Sequence, residues 1–245
     1  MMGIVVVNFK TYCEATGECA VRLAKICEKV SKSTKTDVIV AVQNVDLFHV
    51  SCSVSIPVYA EHIDAVKYGA NTGKDLPEAI VDNGASGVLI NHSEDRAGLS
   101  EIEDSIKRAK SVGLTTIVCA PTAKSSEAIA ALGPDFIAVE PPELIGGDIS
   151  VSKAKPGLIS DTVKLVHAVD KRIPVLCGAG IKDSEDVRIA MKLGCRGILV
   201  ASGVTKAKDP ENALRDLIKG MANAAPKKKL IGNKRVKKKT AKKRK

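Results

Sequence analysis

The chain has 245 residues, 44% of them hydrophobic, with three Tyr, three Phe and no Trp, so there is ample material for one large core built from Val, Ile, Leu and Ala. No apolar run approaches the roughly 18 residues of a membrane span, and the opening "MMGIVVVNFK" lacks the basic front and the length of a signal peptide, so a cytoplasmic protein with no membrane role is expected. The net charge of +10 is concentrated at one end: from residue 226 onward, "PKKKLIGNKRVKKKTAKKRK" carries 12 Lys or Arg and no acid, while the body is slightly acidic. Seven cysteines, at 13, 19, 27, 52, 119, 177 and 195, form an odd set without C-x-x-C spacing, which favours reduced thiols used as small core residues over a disulfide framework or a zinc site.

Elements alternate along the body. "IVVVN" (4–8) reads as a strand and is followed by a helical stretch at 15–33. Strands follow at "VIVAV" (38–42), "IPVYAE" (56–61) and "GVLIN" (87–91), then a helix at 99–113. "TTIVC" (115–119) and "FIAVE" (136–140) are the fifth and sixth strands, with a helix at 161–172. "PVLCG" (174–178) and "GILVA" (197–201) complete eight, each with its own helix, at 183–194 and 209–221. Every run is apolar almost throughout, as strands covered on both faces are. Strands alternating with helices pair in parallel, and eight such units predict an α/β fold of the closed (β/α)8 type. An open doubly wound sheet is the alternative, but the first strand is not followed by a glycine-rich fingerprint.

In such barrels the active site lies at the carboxyl ends of the strands. The residues there are Asn8 with Lys10, Glu61, Asn91 with His92, Cys119, Glu140, Gly178 and Ala201. One exit stands out. "FIAVEPPELIGGD" (136–148) leaves an apolar strand through a carboxylate, Glu140, then two prolines that stiffen the chain and a glycine pair that frees it. A buried carboxylate is costly unless solvated, paired or used. A fixed acid beside a lid-like loop therefore suggests catalysis. "GAG" (178–180) reads equally well as a tight turn or as an anion cradle.

The combination of "NFK" after the first strand, "NHSEDR" after the fourth, "VEPPELIG" after the sixth and glycine-rich turns after the last two closely resembles the triosephosphate isomerase family, specifically its short archaeal type. The resemblance runs from about residue 4 to 221 and includes "NFKTYCEATG", "EHID", "LINHSE", "VSKAKP", "LCGAGI" and "ASGVTKAKDPE". It implies a TIM barrel over residues 1–221. It also implies an enzyme of glycolysis and gluconeogenesis that interconverts dihydroxyacetone phosphate and D-glyceraldehyde 3-phosphate through an enediolate, without metal or cofactor. Residue by residue, it implies that Glu140 is the base and that His92 polarises the carbonyl. Lys10 stabilises the enediolate and helps bind phosphate, with Asn8 beside it and Phe9 among the substrate-binding positions. Ile145, Gly146, Gly180, Ala201, Ser202 and Gly203 match the family's phosphate cradle. This family is the established illustration of a carboxylate base working with a neutral histidine. "HSED" reads as a helix opening with Ser93 as its cap, and a helix N-terminus disfavours imidazolium.

The chain departs from the family pattern at three places. Gly147 and Asp148 stand where the lid usually has Thr-Gly, Glu61 where Gln is frequent, and Val42 where Pro often precedes Gln43. "YGANTGKDLPEA" (68–79) resembles the family's third βα loop, which reaches into a neighbouring subunit, so a homodimer or a homotetramer is implied. Residues 222–245 read as a linker and a disordered basic extension. A sharper reading of that tail is non-specific contact with RNA or DNA through phosphate neutralisation. Other phosphate-binding barrels would share the cradle but not "NFK", "NHSE" and "VEPPELIG" together. A non-catalytic nucleic-acid-binding scaffold would have no need of Asn8, Lys10, His92 and Glu140.

Overall fold

In the computed structural model, which describes residues 3–141 and 154–221, the eight apolar runs are strands that close on themselves. They are β1 (Ile4–Asn8), β2 (Asp37–Val42), β3 (Val58–Ala60), β4 (Gly87–Ile90), β5 (Thr115–Ala120), β6 (Phe136–Val139), β7 (Val175–Cys177) and β8 (Gly197–Val200). All neighbours pair in parallel, and β1 pairs with both β2 and β8, which removes any sheet edge. The third strand is shorter than its apolar run because Pro57 has no N–H to give, although its carbonyl still accepts from Val40 at 3.1 Å.

Between the strands lie α1 (Glu18–Thr34), α2 (Leu47–Ser53), α3 (Pro77–Asp82), α4 (Leu99–Ser111), α5 (Ala123–Ala131), α6 (Pro156–Val169), α7 (Ser184–Lys192), α8 (Ser202–Thr205) and α9 (Pro210–Met221). Several begin as their chemistry dictates. Asp183 accepts the Asp186 N–H at 2.8 Å, and Asp209 accepts that of Asn212 at 3.0 Å. α6 starts five residues before the expected Asp161, because Pro156 suits a first helical turn, where no N–H bond is needed.

The helix expected to open at "HSED" does not form there. The His92 carbonyl takes the Asp95 N–H at 2.9 Å and Asn91 Oδ1 takes that of Ala97 at 3.0 Å. These bonds fold the segment into a turn, and α4 begins only at Leu99, where Glu101 reaches back to the Gly98 N–H at 2.7 Å. The cysteines also depart from expectation. All seven thiols are free, but Cys13 and Cys52 are exposed and Cys19 is half-buried, so only the other four are core residues.

Strand alternation builds two apolar layers. One set of side chains, including Val5, Val7, Phe9, Val40 and Val118, faces the surrounding helices. The other fills the barrel: Ile4, Val6, Ile39, Ala41, Tyr59, Leu89, Ile117, Cys119, Phe136, Ala138, Leu176 and Leu199. Tyr59 fits only because its neighbour on β4 is Gly87, where a Cβ would stand 2.4 Å from the ring. Gly87→Ala is expected to lower stability by roughly 1–3 kcal/mol through overpacking, read as an earlier midpoint in urea unfolding; an unchanged midpoint would mean the barrel interior yields at this level.

Candidate active site

The inward register that packs the barrel also delivers the polar residues. Asn8 follows Val6 by two, Glu61 follows Tyr59, Asn91 follows Leu89, Glu140 follows Ala138 and Gly178 follows Leu176. Each therefore continues an inward row past the apolar levels and into the mouth. There a cavity of about 390 Å³ is lined by Asn8, Lys10, His92 and Glu140, by Gly180, Ala201, Ser202 and Gly203, and by residues to which the sequence assigned no role, among them Tyr12 and Lys182.

Glu140 is only 3% exposed, and its Oε2 has no hydrogen-bond partner among the described residues. The nearest basic group is His92 Nε2, at 3.7 Å, beyond hydrogen-bonding distance. Burial raises the carboxyl above its ordinary value of 4.5; His92, the Cys119 thiol, Lys10 and Arg96 all oppose the shift without cancelling it. The side chain lies over the end of β7, where Gly178 leaves room: a Cβ there would stand 2.4 Å from Glu140 Cγ. A buried, unpaired carboxylate oxygen pointing at a histidine in a cavity is a group poised to take a proton.

His92 is held from its other side. Its Nδ1 accepts the Glu94 N–H at 3.2 Å, and since a backbone amide can only donate, the proton of the neutral ring lies on Nε2, towards Glu140 and the cavity. The turn after β4 thus selects this tautomer. Asn91 secures that turn, donating to the Cys119 carbonyl at 2.8 Å.

Lys10 follows β1 in a left-handed conformation, φ 50°. Its N–H donates to Glu61 Oε1 at 2.6 Å and to Asn8 Oδ1 at 3.2 Å, while its ammonium meets Glu94 Oε1 at 2.7 Å. Glu94 therefore touches the lysine through its side chain and the histidine through its backbone. Asn91 (φ 59°) and Ala179 (φ 75°) are likewise left-handed, so three strand exits carry strain of the order of 1–3 kcal/mol each. Glu61 is pushed up to about 7, chiefly by burial; the Lys10 N–H bond lowers it, Glu94 raises it, Lys10's charge lowers it, and Asp46 raises it.

Across the cavity, Gly180 follows β7, and the first turn of α8, Ser202 and Gly203, follows β8. N–H groups in a first helical turn have no intrahelical acceptor, and the exits of the last two strands are where barrels of this kind bind phosphate. The described residues offer one group with metal-ligand spacing, His62, Asp64 and Asp75, whose ligand atoms lie within 4.8 Å of one another. Its carboxylates are committed elsewhere: Asp64 takes Lys74 Nζ at 3.0 Å and the Asp75 N–H at 2.8 Å, and Asp75 takes the Asn44 amide at 2.7 Å. None of the three lines the cavity.

Of the residues expected at the site, Asn8, Lys10, His92, Glu140, Gly180, Ala201, Ser202 and Gly203 share this cavity. Phe9 does not. One residue out of step with Asn8 and Lys10, it is fully buried on the helix-facing side of the strand. Ile145, Gly146, the altered lid residues Gly147 and Asp148, and the tail at 222–245 lie outside the described residues. Glu94 and Glu61, which grip Lys10, were visible in the sequence only as acids near strand ends, since nothing local shows that both converge on one lysine.

Gly178→Ala is expected to push Glu140 aside and reduce kcat by about 100-fold, with circular dichroism unchanged; an unaltered kcat would show that Glu140 does not need this position. Comparison with known proteins places the same architecture in one family. The family model described as triosephosphate isomerase matches residues 3–221. A protein named triosephosphate isomerase from Methanocaldococcus jannaschii is 52% identical over 216 residues, 88% of this chain and 99% of that one. Proteins of the same name from Methanothermus fervidus and Archaeoglobus fulgidus are 50% and 48% identical, over 89% of this chain and 98% and 97% of theirs. With the match extending over every strand and helix of the barrel, the chain belongs to the triosephosphate isomerase family.

Proposed function

We propose that the chain is an aldose–ketose isomerase interconverting dihydroxyacetone phosphate and D-glyceraldehyde 3-phosphate, with Glu140 as the base and His92, Lys10 and Asn8 around the reacting atoms. The observation that carries this reading is the unpaired Oε2 of Glu140, buried in the cavity 3.7 Å from His92 Nε2. Glu140 takes a proton from the hydroxyl-bearing carbon next to the carbonyl and returns it to the neighbouring carbon. No proton is lost overall, and no electron acceptor is required. His92 hydrogen-bonds the carbonyl oxygen through its Nε2 proton as that oxygen gains negative charge, gives it that proton, and takes the proton of the neighbouring hydroxyl in return, so that the second oxygen becomes the new carbonyl. The Lys10 ammonium and the Asn8 side chain face the same oxygens, and Lys10 also neutralises phosphate. The N–H groups of Gly180, Ser202 and Gly203 donate to the phosphate oxygens, and Ile145 and Gly146 complete the cradle by resemblance to the family.

A homo-oligomer, dimer or tetramer, suits the exposed apolar residues on the connections after β2 and β3: Val45 (81%), Phe48 (57%) and Tyr68 (74%). Cytoplasmic residence suits seven free thiols. No helix among the described residues is long and apolar enough to cross a membrane. The basic tail adds non-specific contact with nucleic acid.

Glu140→Gln should cut turnover by about 10²–10⁴-fold while a phosphate-bearing competitive inhibitor still binds; near-normal turnover would assign the base elsewhere. Because burial raises Glu140, the protonated, inactive form persists to higher pH, and the acid limb of kcat/KM should lie above the ordinary 4.5. If half of the 12 basic tail residues engage duplex phosphates, log K against log salt should slope by roughly −5. Deleting residues 226–245 should abolish that binding and spare isomerisation, whereas binding that survived the deletion would place it on the barrel.

A further inference from the structure

Lys10 owes its position to its backbone before its side chain. A φ of 50° is a conformation that a long side chain seldom adopts, and "NFKTY" contains no glycine to favour it. Something outside the segment must hold it. The shortest contact to the Lys10 N–H is Glu61 Oε1 at 2.6 Å, with Asn8 Oδ1 more distant at 3.2 Å. Glu61 is itself anchored, since its own N–H donates to the Val42 carbonyl at 3.1 Å and extends the pairing between β2 and β3 by one residue. A carboxyl fixed to one side of the barrel mouth thus grips the turn that leaves β1.

We propose that Glu61 is a positioning residue for Lys10, its carboxyl oxygen holding the Lys10 N–H in the left-handed turn and so fixing where the ammonium meets the substrate's phosphate. This rests on the reading of Lys10 as the phosphate-binding cation. The ammonium is held separately by Glu94, so backbone and side chain have distinct anchors.

The grip has a charge attached. Groups facing Glu61 are Lys10 from the β1 exit, Glu94 from the β4 exit and Asp46 from the turn after β2. With the carboxyl pushed up to about 7, both of its forms exist at ordinary assay pH. Either form presents an oxygen to the N–H. The ionised form also places a negative charge close to the cation that meets a phosphate dianion, which opposes binding as pH rises through this value. A glutamine keeps the oxygen and removes the charge; an alanine removes both.

The test is KM and kcat for glyceraldehyde 3-phosphate in wild type, Glu61→Gln, Glu61→Ala and Lys10→Ala, from about pH 6 to about pH 8. Glu61→Ala should lose about 10- to 100-fold in kcat/KM, mainly through KM. Glu61→Gln should stay within about twofold of wild type at the acid end and lack the upward component of KM that wild type shows towards the alkaline end. Wild-type kinetics in Glu61→Ala, or a folded Glu61→Gln as impaired as Glu61→Ala, would overturn the proposal. Should Glu61→Ala fail to fold, the comparison of Glu61→Gln with wild type decides, and an identical pH profile of KM would be fatal. A normal KM in Lys10→Ala would instead remove the reading of Lys10 on which the proposal rests.

Discussion

Closing eight parallel strands into a barrel sends every second side chain to the axis, and the site depends on that geometric fact. Along β1 the inward row runs Ile4, Val6, Asn8; along β6 it runs Phe136, Ala138, Glu140. Apolar levels fill the interior, and the last inward position of several strands is polar and opens on the mouth. Glu140, the proposed base, therefore stands at the first position past a strand rather than out on a loop. It directly follows β6, and its backbone N–H is tied to the Ala120 carbonyl at 2.8 Å. A base aimed by a hydrogen-bonded sheet is placed more closely than one on a free loop.

Several local costs accompany this arrangement. Glu140 is buried with an oxygen unpaired among the described residues, Glu61 is half-buried next to other acids, and Lys10, Asn91 and Ala179 all adopt φ values that L-residues avoid. They occur together at one end of the barrel, and the other left-handed non-glycine residue among the described residues, Lys35, merely ends α1. A well-packed scaffold tolerates strain only where the surroundings over-determine it, and here the determinants are identifiable. Glu61 grips one turn, the Asn91 side chain secures another, and Gly178 yields its Cβ volume to Glu140. Glu94 links the two halves, holding the Lys10 ammonium with its carboxylate and the His92 ring with its amide.

The strands were legible because burial on both faces leaves an unbroken β-branched run, a signal that survives without context. The helices were legible where they carry a periodic apolar face, as α1, α4 and even the nine-residue α7 do. α2 and α3 have only seven and six residues and α5, "AKSSEAIAA", has a weak apolar face, so none could stand on its own pattern or propensity, and the closed sheet beneath them stabilises them instead. The "HSED" turn misleads for a related reason. Ser93 followed by two acids is a sound local helix start, but Asn91 and the His92 carbonyl capture the N–H groups first. Phe9 belongs to the "NFK" motif, but alternation sends its ring away from Asn8 and Lys10 and into the helix-facing core.

By itself, the sequence determined the eight-fold repeat, the parallel closure and the set of polar residues at the strand exits, because hydrophobic period and residue type are local properties of the chain. Tertiary structure alone decided that His92 faces Glu140, that Glu140 rests over Gly178, and that two acids following different strands hold one lysine. Those are relations between residues such as Lys10 and Glu61, 51 positions apart in the chain. No pattern along the chain encodes a distance across the mouth of a barrel; packing of the closed sheet sets it.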